Sequence, residues 1–97
     1  MSTLHVLSHS PFGDDRLSSC LRLIGKDDGL MLCGDAVYAL QPGTAPFDTL
    51  NARRLKLSVL ADDAQARAIG VPDWAVALDY PAFVELSIHH DKVNSWL

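Results

Sequence analysis

The hydrophobic residues of this 97-residue chain alternate between short continuous runs and stretches with helical spacing. A continuous apolar run bounded by turn residues predicts a buried strand, and apolar residues that recur every three or four positions predict a helix. Strands are expected at residues 3–8, 30–33, 55–60 and 75–78. Helices are expected after Asp14, at residues 35–40, from Asp62 to Gly70, and from residues 79–81 onward. Strand and helix therefore alternate along the chain.

Capping and helix-breaking residues define the ends of these predicted helices. Asp14 is placed to cap the first helix. The apolar side of that helix carries Leu17, Cys20, Leu21 and Ile24. The short second helix stops before Pro42, and residues 41–46 are predicted to form a turn-rich loop. Pro81 is tolerated because it falls in the first turn of the last helix.

Strands separated by helix-length segments favour right-handed crossovers, a mostly parallel sheet and helices on both of its faces. We therefore expect one α/β domain over residues 1–97 with three layers, α/β/α. Ligands of such sheets bind at the carboxyl ends of the strands. The segments to search are residues 8–13, 33–35, 61–63 and 79–80. No glycine-rich dinucleotide motif or P-loop occurs there, so we expect no cofactor.

The composition is mildly acidic and slightly rich in apolar residues. The formal net charge is −4, and 48% of the residues are hydrophobic. The acidic balance weighs against direct nucleic-acid binding, because phosphate contacts need clustered lysine and arginine. Arg53, Arg54 and Lys56 form a short basic cluster, which we interpret as a solvated approach to a strand rather than a phosphate site. The apolar surplus favours a partner subunit that covers part of the surface.

The location of the protein bears on the state of its two cysteines. No apolar run has the length that crosses a bilayer, and an export signal is lacking, so we expect a cytoplasmic protein with free thiols. Cys20 lies on the apolar side of the first predicted helix, which favours a buried structural thiol over a nucleophile or sulfur carrier. Cys33 ends an apolar strand, where a buried structural role is again favoured.

Histidines and aspartates are the remaining candidates for acid–base or metal chemistry. The histidines, which can titrate near neutral pH, are His5, His9, His89 and His90. The adjacent pair His89-His90 points in two directions on a helix and has no third ligand, so we expect no metal site. Asp35 and Asp79 follow strands, where a helix-capping role is at least as well supported as catalysis.

Four short segments carry a family resemblance. They are Leu4-His5 followed by Ser10-Pro11-Phe12, then Asp35-Ala36-Val37-Tyr38-Ala39, then Asp79-Tyr80-Pro81-Ala82-Phe83-Val84-Glu85-Leu86, and finally Ser95-Trp96-Leu97. In this order, in a chain of this length with this alternation of strand and helix, they resemble the TusB/DsrH family from end to end.

The resemblance implies a DsrE/DsrF/DsrH-like fold and a subunit of a sulfur-relay complex. In a complex of the TusBCD type, such a subunit joins TusC-like and TusD-like partners in a heterohexamer. The complex receives persulfide sulfur from a cysteine desulfurase through a carrier and passes it on for 2-thiolation of the tRNA wobble uridine by a tRNA thiolase. The resemblance places the essential cysteine on the D-type subunit, which makes this chain mainly structural.

Cys20 keeps a chemical role open. The resemblance implies that B-type subunits commonly lack a cysteine, whereas the DsrH type carries one in the first helix, where Cys20 stands. The chain is then either a structural subunit with an accessory persulfide-carrying thiol, or a DsrH-type subunit of a DsrEFH complex in dissimilatory sulfur oxidation with Cys20 as the active thiol. A stand-alone α/β module that binds a small ligand near the strand ends is the alternative from another class.

Several apolar side chains are candidates for either the core or a subunit interface. They are Phe12, Phe47, Val93, Trp96 and Leu97. Large apolar side chains stabilise both kinds of contact, so the sequence leaves the choice between them open.

Overall fold

Within residues 2–96, which the computed structural model describes, five parallel strands form one sheet. The strands are β1 (Thr3–Leu7), β2 (Gly29–Leu32), β3 (Lys56–Leu60), β4 (Val76–Leu78) and β5 (Lys92–Trp96). Their order across the sheet is β4-β3-β2-β1-β5, and every pairing is parallel. The ends of the first four strands agree with the predicted ones to within one residue. The predicted α/β class with a parallel sheet is confirmed.

The helices connect successive strands. They are α1 (Arg16–Leu23), a 3₁₀ helix (Gly34–Leu40), α2 (Ala45–Arg53), α3 (Ala61–Ala66) and α4 (Tyr80–His89). The chain steps outward from β1 to β4 and then returns past β1 to β5. Because parallel crossovers are right-handed, the helices of the outward steps and the helix of the return step lie on opposite faces. Within the described residues, no helix is long and apolar enough to cross a membrane.

The hydrophobic core lies between the sheet and the helices of the outward steps. The sheet contributes Leu7, Leu30, Leu32, Leu57 and Val59, and the register places them on one face. We call this the helical face. The helices contribute Leu17, Cys20, Leu21, Ala36, Val37, Ala39, Leu40, Leu50 and Ala64. All of these side chains are buried.

The opposite face, which we call the α4 face, has much lighter cover. Leu4 and Met31 are buried at its centre. A Cβ at Gly29 would lie 3.1 Å from the His90 ring and 3.2 Å from Leu4, so glycine at this position makes room for the His90 side chain close to β2. Unlike the helices of the helical face, α4 contains no buried residue.

Two elements depart from the sequence-based prediction. α2 begins at Ala45, inside the expected loop 41–46. Pro46 lies in the first turn of this helix, where proline is compatible with helical backbone. Leu50 is the only buried residue of α2. The sequence of α2 therefore lacks the apolar residues at every third or fourth position that would have predicted a helix. β5 was expected only as an apolar tail. Its side chains at residues 92–95 are exposed, and a strand at the sheet edge needs no continuous apolar run.

One predicted helix is shorter than expected. The helix expected from Asp62 to Gly70 is α3, which starts one residue earlier and ends at Ala66. Ala68 has a φ of 55°, a left-handed conformation that helical backbone does not adopt. The chain therefore leaves the helix before the glycine that was expected to end it.

Candidate functional site

At the carboxyl edge of the sheet, the turn after β2 packs against the end of β1. The backbone N–H of Cys33 donates to the carbonyl oxygen of Leu7 at 3.0 Å, and the Cys33 thiol donates to the same oxygen at 3.5 Å. Gly34 has a φ of 52°, and a Cβ there would lie 3.1 Å from the carbonyl oxygen of Ser8. The turn therefore requires glycine, and it fixes Cys33 beside the end of β1.

An ion-paired network joins this turn to α3. The Asp63 carboxylate accepts the backbone N–H of Gly34 at 2.7 Å. Arg67 donates to the Asp35 carboxylate at 3.0 Å and to the carbonyl oxygen of Asp63 at 3.2 Å. Asp35 makes no side-chain cap of the 3₁₀ helix, so its predicted capping role is wrong and an ion pair takes its place. The network holds the ends of β2 and β3 together.

The Cys33 thiol is partly exposed at this edge. Burial, and after it the negative charge of Asp63, raise the pKa of Cys33 above the ordinary value for a thiol. Because the thiolate is the reactive form, both effects keep Cys33 in its unreactive, protonated form at neutral pH.

Cys20 lies within α1 and points into the core, with 0% of its surface exposed. Burial raises the pKa of Cys20 to about 11; the charge of Asp28 adds to this rise, and Arg53 acts against it. Cys20 is therefore a protonated core thiol at neutral pH, and α1 would have to move off the sheet before its sulfur could be reached. Its role as a persulfide carrier stays a prediction.

His5, a sequence-based candidate for acid–base chemistry, is held in a buried chain of hydrogen bonds. The indole N–H of Trp96 donates to Nδ1 of His5 at 3.1 Å. The proton of the neutral imidazole then lies on Nε2, which is 3.2 Å from the Asp28 carboxylate. Asp28 also accepts the backbone N–H groups of Thr3 and Gly25, at 2.9 and 2.8 Å. With 6% of its surface exposed, His5 links strands rather than facing a substrate.

Sequence reasoning did not find Asp28, because it lies in a glycine-bounded turn and was taken as part of a helix break. A signal was nevertheless present. The first and last segments of the family resemblance contain His5 and Trp96, which are 91 residues apart in sequence and in contact in the structure. The contact adds a side-chain hydrogen bond to the backbone pairing of β5 with β1.

The other predicted polar candidates are dispersed. His9 and His89 are exposed, and Asp79 caps α4 by accepting the backbone N–H of Ala82 at 2.9 Å, which confirms its predicted capping role. Arg53 donates to the carbonyl oxygen of Leu21 at 2.8 Å, and Arg54 and Lys56 are exposed. Among residues 2–96, no group of three or more His, Cys, Asp or Glu side chains is arranged to hold a metal ion.

The apolar candidates divide between core and surface. Trp96 is partly buried against the core, and Phe47 packs edge-on against Trp74 with ring centroids 5.4 Å apart. Phe12 and Val93 are 58% and 48% exposed, so they are surface residues of the isolated chain. Leu97 lies outside the described residues.

On the α4 face, several apolar side chains are exposed. Tyr80, Val84 and Ile88 follow one another on the outer side of α4, and Val76 of β4 is also exposed. Between α4 and β4 runs a groove of about 390 Å³. Its lining residues are Ser58, Val76, Leu78, Ala82, Glu85, Leu86 and His89. This arrangement suits contact with another macromolecule better than chemistry on a small molecule.

Comparison with known proteins agrees with the resemblance seen in the sequence. The sequence profile of the family described as DsrH like protein matches residues 9–93. A TusB protein of Enterobacter sp. is 36% identical over 95 residues, which cover 96% of this chain and 99% of the relative. The TusB protein of Erwinia tasmaniensis is 34% identical over the same shares of both chains.

Solved structures support the fold. The crystal structure of the YchN protein from E. coli superimposes with a TM-score of 0.72 over 99% of this chain and 100% of that chain, at 20% sequence identity. The profile match and the TusB relatives both extend over nearly the whole length, which confirms the TusB/DsrH resemblance. The chain belongs to the DsrH-like protein family.

Proposed function

We propose that this chain is a subunit of a cytoplasmic sulfur relay of the TusBCD type, which passes persulfide sulfur for 2-thiolation of the tRNA wobble uridine. Its role there is mainly structural, in a heterohexamer with TusC-like and TusD-like subunits. Membership of the DsrH-like family and likeness to TusB proteins support the relay assignment. The relay's other components, a cysteine desulfurase and a tRNA thiolase, then act on it through carriers.

The full burial of Cys20 is the observation that carries the structural role. In a persulfide transfer, an acceptor thiolate attacks the outer sulfur of the donor persulfide, the sulfur–sulfur bond breaks, and the donor leaves as a thiolate. The step needs an accessible, ionised acceptor. Burial and a pKa of about 11 deny Cys20 both properties, and burial raises the pKa of Cys33 as well, so we place the transferring thiol on a partner subunit.

The test is intact-mass spectrometry of each subunit after co-expression of the three chains and exposure to a persulfide donor. We expect a gain of about 32 Da, one sulfur atom, on the D-like subunit and none on this chain. Cys20→Ser should leave both assembly and sulfur loading of the partner unchanged. Cys33→Ser is the matched control for the other thiol. A sulfur adduct on this chain that disappears in Cys20→Ser would contradict the structural role.

A second candidate is the DsrH-type subunit of a DsrEFH complex in dissimilatory sulfur oxidation. The observation in its favour is the cysteine in α1 of a chain that matches the DsrH-like profile. In this case α1 opens when partners bind, and Cys20 carries the sulfur. Loss of sulfur transfer in Cys20→Ser, with assembly intact, would select this function over the first.

A further inference from the structure

We propose that the hydrogen bond between Trp96 of β5 and His5 of β1 is a pH-sensitive latch, closed while His5 is neutral and opened when His5 gains a proton. The closed latch holds the indole of Trp96 against the sheet at its β5 edge, and the open latch releases the indole to water. The latch is a property of the chain by itself, so it is independent of the proposed function.

The latch depends on an unprotonated ring nitrogen of His5. An indole carries one N–H donor and has no acceptor, so Nδ1 of His5 must accept the bond from Trp96, which is 3.1 Å long. A proton that binds to Nδ1 occupies the lone pair that accepts this bond. Two N–H groups then point at each other. The indole must therefore leave when the ring becomes an imidazolium, and only a hydrogen bond breaks.

The carboxylate of Asp28 stabilises the protonated ring. Asp28 lies 3.2 Å from Nε2 of His5, and its side chain is 15% exposed. This contact is a hydrogen bond with the neutral ring and an ion pair with the imidazolium. The backbone N–H groups of Thr3 and Gly25 fix the carboxylate, so its position does not depend on Trp96. His5 thus has one partner that requires the neutral ring and one that favours the cation.

Other charged and titratable groups surround the imidazole at longer range. The side of α1 that packs on the sheet carries the protonated thiol of Cys20, and Arg53 of α2 lies near enough to oppose the rise of its pKa. Asp91 and Lys92 are neighbours before and at the start of β5, both exposed, so their opposite charges largely offset each other. The His90 ring lies against β2 on the α4 face of the sheet. The carboxylate in direct contact therefore has the largest effect on the ring.

Burial makes the departure of the indole necessary for a stable cation. The ring centroids of His5 and Trp96 are 6.2 Å apart, and 6% of His5 is exposed while Trp96 is in place. A buried N–H of an imidazolium needs an acceptor, and release of the indole lets water reach Nδ1. Trp96 gives up its packing against the core in the same step. The backbone pairing of β5 with β1 does not involve these side chains, so the strand itself stays in the sheet.

The experiment follows the exposure of Trp96 between about pH 8 and pH 5, the range in which histidines ordinarily gain a proton. The chain has two tryptophans, so Trp74→Phe leaves Trp96 as its one indole. We expect the emission maximum of Trp96 to move to longer wavelength, and its quenching by acrylamide to increase, as the pH falls. Both quantities report how far water and small solutes reach the ring.

Three further variants in the Trp74→Phe background test the chemistry. His5→Asn places an amide oxygen near the position of Nδ1, so Trp96 keeps an acceptor that does not titrate, and its emission should not depend on pH. Asp28→Asn removes the charge that favours the imidazolium, so the latch should open at a pH lower by about one unit or more. Asp91→Asn is the matched control, because it makes the same change at an exposed carboxylate and should move the transition much less.

Nitrogen-15 NMR of the unaltered chain observes the His5 ring and the indole N–H of Trp96 together, so it tests the latch even if a variant does not fold. We expect protonation of Nδ1 and a shift of the indole N–H resonance at the same pH. The latch is wrong if His5 gains its proton while Trp96 stays unchanged, or if His5 stays neutral down to about pH 5. It is also overturned if His5→Asn shows the same pH dependence, or if far-ultraviolet circular dichroism shows that the chain unfolds over the same interval.

Discussion

The two faces of the sheet are built from the same strands yet differ in how completely the chain covers them. On the helical face, α1, the 3₁₀ helix, α2 and α3 all contribute buried residues to one core. On the α4 face, a single helix with no buried residue leaves apolar side chains and a groove exposed. The difference teaches that this sequence specifies a fold with one closely packed core and one face whose helix stays largely exposed.

The two cysteines can also be placed relative to the two faces of the sheet. Cys20 is part of the complete core, where a buried thiol behaves as a small apolar side chain. Cys33 lies at the carboxyl edge, where ligands of parallel sheets bind, but its pKa is also raised. Neither thiol lies among the residues that line the groove of the α4 face. The groove and the two thiols are therefore separate features of the molecule.

The largest effect is expected when a buried side chain is removed from the core of the helical face. Leu32 is 0% exposed at the centre of the helical face. Leu32→Ala should lower the free energy of unfolding by about 2–5 kcal/mol, because it removes apolar contacts and leaves a cavity. Urea unfolding followed by circular dichroism measures the loss. A decrease of under about 1 kcal/mol would show that the helical face is packed less tightly than the structure indicates.

The second prediction concerns the hydrogen bond between Trp96 of β5 and His5 of β1. Trp96→Phe keeps most of the ring but removes the indole N–H, which leaves the buried Nδ1 of His5 without its donor. Leaving such a group unsatisfied should cost about 1–3 kcal/mol of unfolding free energy. Trp74→Phe is the control, since Trp74 packs against the core and against the ring of Phe47. Equal losses in the two variants would argue against a specific role for the hydrogen bond.

A smaller effect is expected at the start of α4. The Asp79 carboxylate accepts the backbone N–H of Ala82, so Asp79→Ala should lower the unfolding free energy by about 1 kcal/mol. Asp79→Asn, which retains an accepting oxygen, should recover most of the loss. Urea unfolding of the three proteins measures both changes. If Asp79→Ala is as stable as the unaltered chain, α4 is held by contacts other than its cap.

The pH dependence of stability tests Asp28. Hydrogen bonds from the backbone N–H groups of Gly25 and Thr3, followed by the contact with His5, hold the pKa of the Asp28 carboxyl below its ordinary value. A carboxyl with a lowered folded-state pKa stabilises the protein above the unfolded value of about 4, and this contribution is lost as the pH falls through the folded value. The stability gap between the unaltered chain and Asp28→Asn should therefore shrink below about pH 4. A gap that is constant from pH 7 to pH 3 would contradict this assignment.

The spacing of apolar residues along the sequence was sufficient to predict most of the strands and helices that form the helical face. Leu30 and Leu32 of the continuous run 30–33 are buried on this face, and so are Leu17, Cys20 and Leu21, which have helical spacing. β5 escaped prediction because its pairing with β1 joins residues about 90 positions apart, and an edge strand carries no apolar run. The chain of Trp96, His5 and Asp28 escaped for the same reason, since hydrogen bonds between distant residues leave no local period.

The smallest expected effect returns to the α4 face. Ile88 is 74% exposed, so Ile88→Ala should change the unfolding free energy of the isolated chain by less than about 0.5 kcal/mol. This change is much smaller than the loss of unfolding free energy expected for Leu32→Ala. Removing an apolar side chain should therefore destabilise the protein on the helical face and have little effect on the α4 face. Urea unfolding of the isolated variants, compared under one set of conditions, measures both. A loss above about 1 kcal/mol in Ile88→Ala would mean that the side chain already packs within its own chain. The α4 face would then be packed by its own chain, and the contrast between the faces would disappear.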